Sequence, residues 1–187
     1  MTDIRIQVRP FAGRSEYEQM VDYFLNADPV FLEGMGVDPN KLPKREDWVE
    51  AVLLDHERAE EEKERSYLAW VYEDKLVGHS SINQIKVGEE AFIHLHLWAS
   101  DLRNAGLGTR FFDKSAKEFI RWFNLRRLYC EPYAENPAPN HIVTKLGFHF
   151  VKSHRCIPGP INFEQDVNLY LLDINVQETV EHPSERG

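Results

Sequence analysis

The sequence predicts a mixed α/β (α+β) fold, in which a mostly antiparallel central sheet is flanked by helices. Three observations support this prediction. The length of 187 residues suits one domain and is enough to bury a real core. Three segments with strand character follow one another over short connections, as in antiparallel hairpins. Segments with helical periodicity lie before and after these strands, which indicates helices packed on a sheet.

The first half of the chain predicts one strand, two helices and three further strands. Residues 4–11 alternate between apolar and polar, as in a half-buried strand. Ser15 then opens a helix, with Glu18 three residues on as in a capping box. Residues 30–47, rich in Gly and Pro, predict a loop that packs on the core or forms a wall of a substrate cleft. A charged helix is predicted over 46–65, and strands over 66–73, 75–87 and 89–100.

The second half predicts a helix, a strand, a short helix and two closing strands. The first helix runs from 108 to about 124, and the strand covers 126–133. The short helix, over 136–147, starts with an Asn cap and an early Pro and ends on Gly. Strands follow at 148–157 and 166–174. The polar residues 177–187 are expected to fray, which gives a single domain at 1–176 and a tail.

Composition excludes several classes of protein. The net charge of −9 argues against non-specific nucleic-acid binding, which needs clustered Lys and Arg. Cys130 and Cys156 form no CxxC pair, so a zinc ribbon or redox motif is not expected, and two free thiols suit a reduced cytosol. No apolar leader and no run of about 18 apolar residues is found. We therefore expect a cytoplasmic protein that does not bind membranes.

The stretch RNAGLGT, residues 103–109, has the character of an anion site. It lies between a strand and a helix, and the first N–H groups of a helix lack intrahelical partners and lie at the positive end of its dipole. Gly106 and Gly108 let the backbone approach a phosphate closely, and Arg103 or Arg110 could add a charged contact. The GxGxxG dinucleotide motif and the P-loop are both absent. The alternative is a simple glycine turn that caps a helix.

Together these motifs resemble the GNAT superfamily of acyl-CoA-dependent N-acetyltransferases. Residues 103–108 match that family's (Arg/Gln)-x-x-Gly-x-(Gly/Ala) pyrophosphate loop, and HLHLW supplies the strand before it. Asn136, followed by a short helix and KLGFHFV, is similar to the family's second signature. The order of elements over residues 4–174 also fits the family.

The resemblance implies acetyl-CoA as cosubstrate and no metal. It implies a sheet whose strand 94–98 splays from 128–133 to admit the pantetheine arm, held by exposed N–H and C=O groups of Leu97 and Trp98. Asn136 would bond the pantetheine or the pyrophosphate side. The loop that would hold the pyrophosphate comprises Arg103, Asn104, Ala105, Gly106, Leu107, Gly108 and Thr109.

The family reaction also needs a proton acceptor for the amine and a donor for the leaving thiolate. His94 and His96 share one face of their strand and are candidate bases, although partly buried sheet histidines with structural partners would show the same pattern. Glu131 and His79 are weaker candidates for the base. Pro139 stands where many members of the family have a Ser hydroxyl, so Tyr129 or Tyr133 could donate to the thiolate, with Tyr133 preferred because it lies nearer the strand end.

The acceptor is expected to be a small-molecule amine or a protein N-terminal amine. The sequence leaves the oligomeric state open, with a homodimer as one option. Two other functions stay open: a non-catalytic module that binds acyl-CoA as a signal, and an unrelated phosphate binder such as a nucleotide sensor.

Overall fold

A computed structural model describes residues 6–103 and 105–174. This part of the chain contains seven strands and five α-helices. They are β1 (Ile6–Pro10), α1 (Arg14–Leu25), α2 (Pro29–Gly34), α3 (Arg45–His56), β2 (Arg65–Tyr72), β3 (Lys75–Lys86), β4 (Glu90–Leu97), α4 (Leu107–Phe123), β5 (Arg127–Cys130), α5 (Pro137–Lys145), β6 (His149–Cys156) and β7 (Gln165–Asp173). None of the described helices is long and apolar enough to cross a membrane.

The strands form one sheet in the order β1-β2-β3-β4-β5-β7-β6. Every neighbouring pair is antiparallel except β4 and β5, which are parallel. The helix α4 provides the crossover between these two parallel strands, as a parallel connection requires. The predicted mostly antiparallel sheet is confirmed.

Two apolar cores hold helices on the two faces of the sheet. On one face, Trp70 of β2 stacks on Phe111 of α4 with ring centroids 5.1 Å apart, and its indole N–H donates to the Ser115 hydroxyl at 2.8 Å. On the other face, α1 and α3 pack over β2 through a second buried cluster that includes Tyr17 and Phe24. The sheet is therefore the middle layer of three.

The start of α1 differs from the prediction. The helix begins at Arg14 with Gly13 at its N-cap, so Ser15 lies inside the first turn and does not cap it. Glu16 instead fixes the chain just before the helix, because its carboxylate accepts the Ala12 N–H at 2.7 Å. The same carboxylate pairs with Arg9 at the end of β1 and so ties the helix to the sheet.

The segment predicted as a loop contains helical structure. Asp28 caps α2 by accepting the Val30 N–H at 2.9 Å, and Pro29 occupies the first helical position, where a missing N–H costs nothing.

The charged helix predicted over 46–65 is shorter, since α3 ends at His56. The carboxylate of Asp55 accepts the N–H groups of Glu64 and Arg65, each at 2.9 Å, and so folds the chain back into β2.

Candidate functional site

The parallel strands β4 and β5 separate after three paired positions. The last pair is Phe92 with Tyr129, whose rings stack with centroids 5.1 Å apart. The strand β4 continues to Leu97, and in the described part of the chain it forms no further pair with β5. Because the strands are parallel, the segments that follow them emerge at the same edge of the sheet. The expected splay is therefore present in the fold.

The N-terminus of α4 lies at the open edge and presents amides that have no partner among the described residues. Gly106 is its N-cap, in the left-handed region at φ 74°, which favours glycine. The first intrahelical bond runs from the Arg110 N–H to the Gly106 carbonyl at 3.3 Å, so the N–H groups of Leu107, Gly108 and Thr109 precede it. No residue of this described first turn is acidic. The terminus can therefore accept an anion.

The two glycines of this loop face different surroundings. A Cβ on Gly106 would meet no atom within 4 Å, so the backbone there is open to a ligand. A Cβ on Gly108 would lie 3.6 Å from Ile142 and 4.0 Å from Leu97, in ordinary contact with α5 and β4. Ala105 lies in the turn before the helix, and Asn104 lies outside the described residues.

The side chain of Arg103 lies beside the open edge, at the end of β4. Its guanidinium lies 4.4 Å from the centre of the Phe31 ring and donates to the Leu97 carbonyl at 3.2 Å. Cation–π contact and a backbone hydrogen bond keep the positive charge beside the end of β4.

The backbone edge of β4 differs from the expectation at one residue. The N–H of Trp98 donates to the Val77 carbonyl at 2.8 Å, so the prediction that it is exposed to a ligand is wrong. Peptide groups of successive residues in a strand point to opposite edges. The N–H of Leu97 therefore points toward the side from which β5 has separated, and it is this N–H that remains for a ligand, because Arg103 already donates to the Leu97 carbonyl.

Three histidines lie side by side on the face opposite α4. His79 of β3 pairs in register with His96 of β4, and their rings stack with centroids 4.8 Å apart. The indole N–H of Trp98 donates to Nδ1 of His79 at 2.9 Å. Nε2 of His94 lies 3.0 Å from the Asn83 amide oxygen, so that ring donates through Nε2 and keeps a lone pair on Nδ1.

Burial keeps all three imidazoles uncharged. It lowers the pKa of His94 to about 4 and, together with the neighbouring His94, that of His96 to about 3. Burial also holds the pKa of His79 well below its usual value. In the part of the chain that the structure describes, Nδ1 of His96 is buried and has no hydrogen-bond partner. A substrate cannot reach this nitrogen without movement of the ring.

Glu131 lies on the same face, two residues beyond Tyr129, just as His94 lies two beyond Phe92. The two side chains therefore flank the point where the strands part. Nε2 of His154, on β6, approaches the Glu131 carboxylate at 3.3 Å. Burial raises the pKa of Glu131 above its usual value.

The segment after β5 carries the remaining predicted residues. The Tyr133 hydroxyl donates to the Glu135 carboxylate at 3.1 Å, and burial and that bond raise its pKa. Asn136 is the N-cap residue of α5, but within the described residues its side chain makes no capping hydrogen bond. The amide of Asn136 is therefore available to a ligand.

Asn140 joins this segment to β7 through four hydrogen bonds. Its amide N–H groups donate to the carbonyls of Tyr133 at 2.9 Å and Asn136 at 2.7 Å. Its amide oxygen accepts from Asn168 at 2.9 Å and from the Tyr170 hydroxyl at 3.0 Å. Every polar position of the side chain is used, so Asn140 fixes the approach of Asn136 and Tyr133 to the open edge.

A cavity of about 450 Å³ lies on the face of the sheet that carries the histidines. It extends from Asn136 and Pro139 at the start of α5, past His94, His96 and Glu131, to α1 and α3. Its volume lies in the range of small-molecule sites.

The model of the GNAT acetyltransferase family matches residues 23–148, well over half of the chain. The chain belongs to the GNAT family. No curated protein matches it. Solved structures share its fold: RimL, a ribosomal L7/L12 alpha-N-protein acetyltransferase in complex with coenzyme A, has 18% identity and a TM-score of 0.74, with 94% of this chain and 97% of that chain covered.

Two other GNAT structures are similar over nearly the same length. The microcin C7 self-immunity acetyltransferase MccE, in complex with acetyl-CoA and AMP, has 18% identity and a TM-score of 0.71, covering 92% of this chain and 94% of that one. Spermidine N-acetyltransferase from Vibrio cholerae, in complex with CoA and spermine, has 15% identity and a TM-score of 0.73, covering 91% and 96%. At such low sequence identity, the structural similarity shows that the fold is shared.

Several residues of this GNAT site could not be found from the sequence. Asn140 lies on a short helix with no pattern that marks it, and its partners are 28 and 30 residues away. His154 belongs to an ordinary alternating strand and meets Glu131 only because β7 lies between β5 and β6. Asn83, the partner of His94, is visible only once the register of β3 and β4 is known. Cys130 is buried, and burial raises the pKa of its thiol to about 12.

Proposed function

We propose that this GNAT protein transfers the acetyl group of acetyl-CoA directly to the primary amine of a small molecule or of a protein N-terminus. The parting of β4 from β5 is the observation that supports this function most. It leaves the N-terminus of α4 at the same edge as a cavity lined by a carboxylate and uncharged imidazoles, which supports binding of an anion there. A cosubstrate with a diphosphate at one end and a thioester at the other fits that arrangement.

The cofactor half is proposed from the free backbone groups at this edge. The N–H groups of Leu107, Gly108 and Thr109 would receive the pyrophosphate, with Arg103 and the loop residues Asn104, Ala105 and Gly106 around it. The N–H of Leu97 would donate to the thioester oxygen as that oxygen gains charge. The uncommitted amide of Asn136 would bond the pantetheine from the opposite strand.

Glu131 is the best-matched base for the incoming amine. A general base works best when its pKa lies near the working pH. Burial moves the pKa of Glu131 up toward neutrality, whereas it moves the pKa values of His94 and His96 further below it. The amine lone pair would attack the acetyl carbon, the carbon–sulfur bond would break, and the ammonium proton would pass to Glu131. His94, with its lone pair on Nδ1, is the second candidate.

The proton for the leaving thiolate has two sources in this site. Pro139 lines the cavity and carries no hydroxyl. Tyr133 carries the candidate hydroxyl nearest in sequence to Pro139. It could donate to the sulfur only after breaking its hydrogen bond to the Glu135 carboxylate. Water or Tyr133 would therefore protonate the sulfur. The missing hydroxyl at position 139 is also what favours the second candidate function, a module that binds acyl-CoA without turnover.

Two measurements test the proposal. Thermal unfolding is followed with acetyl-CoA, ATP or NAD present, and we expect acetyl-CoA alone to raise the melting temperature. Release of CoA is then followed with a thiol reagent across a panel of primary amines. Acetyl-CoA binding with no turnover on any amine would favour the binding module, and stabilisation by ATP or NAD alone would contradict both.

A further inference from the structure

The acceptor side of the cavity has an aromatic and aliphatic wall. Phe24 of α1 packs against Trp48 of α3 with centroids 5.4 Å apart, and against the uncharged His96 at 5.0 Å. Met35 and Ile161 line the same space from two loops. A ligand that extends from the open edge of the sheet toward α3 therefore lies against apolar side chains.

The carboxylates at the α3 end of this cavity are already committed. Asp55 accepts backbone N–H groups from Glu64 and Arg65, and Arg58 approaches it at 3.3 Å. Glu64 accepts from Arg58 at 2.9 Å. A second ammonium group at this end would have to compete with a guanidinium and two backbone amides for the same oxygens.

Positive side chains also line this cavity. Arg65 lines the cavity beside Asp55, and Lys41 lies at the rim, where its ammonium donates to the Asn162 carbonyl at 2.8 Å. A ligand cation there would meet like charge, which is unfavourable.

Glu131 stands apart from these pairs, at the opposite end of the wall. Among the described residues that line the cavity, it is the carboxylate whose ionic partner is a histidine and not a guanidinium. The site therefore offers one anionic contact near the thioester position and an uncharged wall beyond it.

From this distribution we propose that the acceptor is a primary monoamine carried on an apolar body, and not a polyamine. This inference rests on the proposed function, since it assigns the same cavity to the acceptor. The amine nitrogen meets Glu131, and the body lies along Phe24 and Trp48. The single charge of such a substrate is matched, and its apolar surface leaves water.

The test compares two amines of equal chain length, n-hexylamine and hexamethylenediamine, which differ in one terminal amino group. With acetyl-CoA saturating, we expect kcat/KM to favour n-hexylamine by at least about tenfold, the scale on which pockets separate such analogues. Spermidine is expected to be poorer than both. Binding of the same amines to the CoA-loaded protein is measured by calorimetry, which needs no turnover.

A matched pair of variants locates the body of the substrate. Trp48→Ala removes part of the wall and should raise KM for n-hexylamine about tenfold, with KM for acetyl-CoA unchanged. Trp122→Ala makes the same change on α4, where the ring is 41% exposed and lies outside this cavity. That control should leave both constants as they are.

The outcomes separate this inference from the proposed function. Calorimetric binding of n-hexylamine without turnover would support the apolar site and count against the enzymatic assignment. The inference is overturned if hexamethylenediamine or spermidine binds or reacts as well as n-hexylamine, or if n-hexylamine fails to bind the CoA-loaded protein. Equal KM values for n-hexylamine in Trp48→Ala and wild type would also overturn it.

Discussion

The imidazoles of His79 and His96 lie nearly parallel, with an interplanar angle of 16° and centroids 4.8 Å apart. His79 also accepts the Trp98 indole N–H on Nδ1, so its own proton is on Nε2. A second proton on His79 would turn an N–H toward another N–H and place a cation against a neighbouring ring. The pair is therefore compatible with the fold only while both rings are uncharged.

The first prediction is that the free energy of unfolding decreases as the pH falls from 7 to 5. Unfolded histidine takes up a proton near pH 6.5, whereas the pKa of folded His96 is about 3. The unfolded state therefore binds more protons in this window, and acid favours it. His96→Phe should flatten the dependence by up to about 1.4 kcal/mol per pH unit, measured by urea unfolding. An unchanged slope in His96→Phe would contradict the prediction.

The second prediction concerns the two glycines before and in α4. Gly106→Ala should weaken CoA binding by more than about tenfold, because its methyl group enters the open space in front of the helix terminus. The left-handed backbone should also cost about 1–2 kcal/mol of stability. The methyl group of Gly108→Ala faces Ile142, so CoA binding should change by less than about threefold. Calorimetry with CoA and thermal unfolding measure both effects, and equal losses of affinity would refute this distinction.

The third prediction is that Asn140→Ala destabilises the protein by about 3 kcal/mol, because it removes four side-chain hydrogen bonds, one of them from the buried Tyr170. The carbonyls of Tyr133 and Asn136 and the Tyr170 hydroxyl would lose their shared partner. Thr144→Ala, which removes an exposed hydroxyl bonded to the Asn140 carbonyl, serves as the control and should cost less than about 1 kcal/mol. Chemical denaturation measures the free energy of unfolding of both variants. A similar loss in the two would show that the side-chain hydrogen bonds of Asn140 add no special stability.

The fourth prediction assigns the acidic limb of the pH–rate profile to Glu131. Burial raises the pKa of this carboxyl, so its proton returns at a higher pH than in an exposed glutamate, and kcat/KM should fall as the pH drops through that value. Glu131→Gln should lower kcat by about 10²–10⁴-fold and remove the limb. His94→Gln should keep it. A profile in Glu131→Gln that retains the wild-type limb would transfer the role to another group.

The fifth prediction tests the rim of the acceptor cavity at Gly36. A Cβ there would lie 2.0 Å from the Gln165 amide oxygen, and φ is 81°. Gly36→Ala should displace Gln165, which donates to the Gly36 carbonyl at 2.8 Å, and raise KM for the amine but not for acetyl-CoA. Gly34→Ala meets no described atom within 4 Å and is the control. Steady-state kinetics on both variants decide whether the rim shapes the acceptor site.

The sequence predicted what depends on local pattern. Strand alternation gave all seven strands to within a few residues, and the glycines of residues 103–109 marked the start of α4. The α2 helix was missed because Pro29 and Gly34 suggested a loop, although Asp28 and Pro29 are also signals of a helix start. Contacts such as Gln165 to Gly36 join residues 129 positions apart, and no periodicity encodes them. The same holds for Trp98, whose N–H was expected to be free until the pairing of β3 with β4 assigned it to Val77.

The hydrogen bonds from Gln165 and Asn162 to the Gly36 carbonyl have a consequence for the divergence of acceptor preference. In the proposed function the pyrophosphate is received by the contiguous residues 103–109, whereas the opposite wall of the cavity includes two separate stretches of chain that must remain complementary. Exchanging either stretch alone would leave its counterpart mismatched. A redesign for a new amine should therefore exchange both stretches together. We expect such an exchange to leave the binding of acetyl-CoA unchanged.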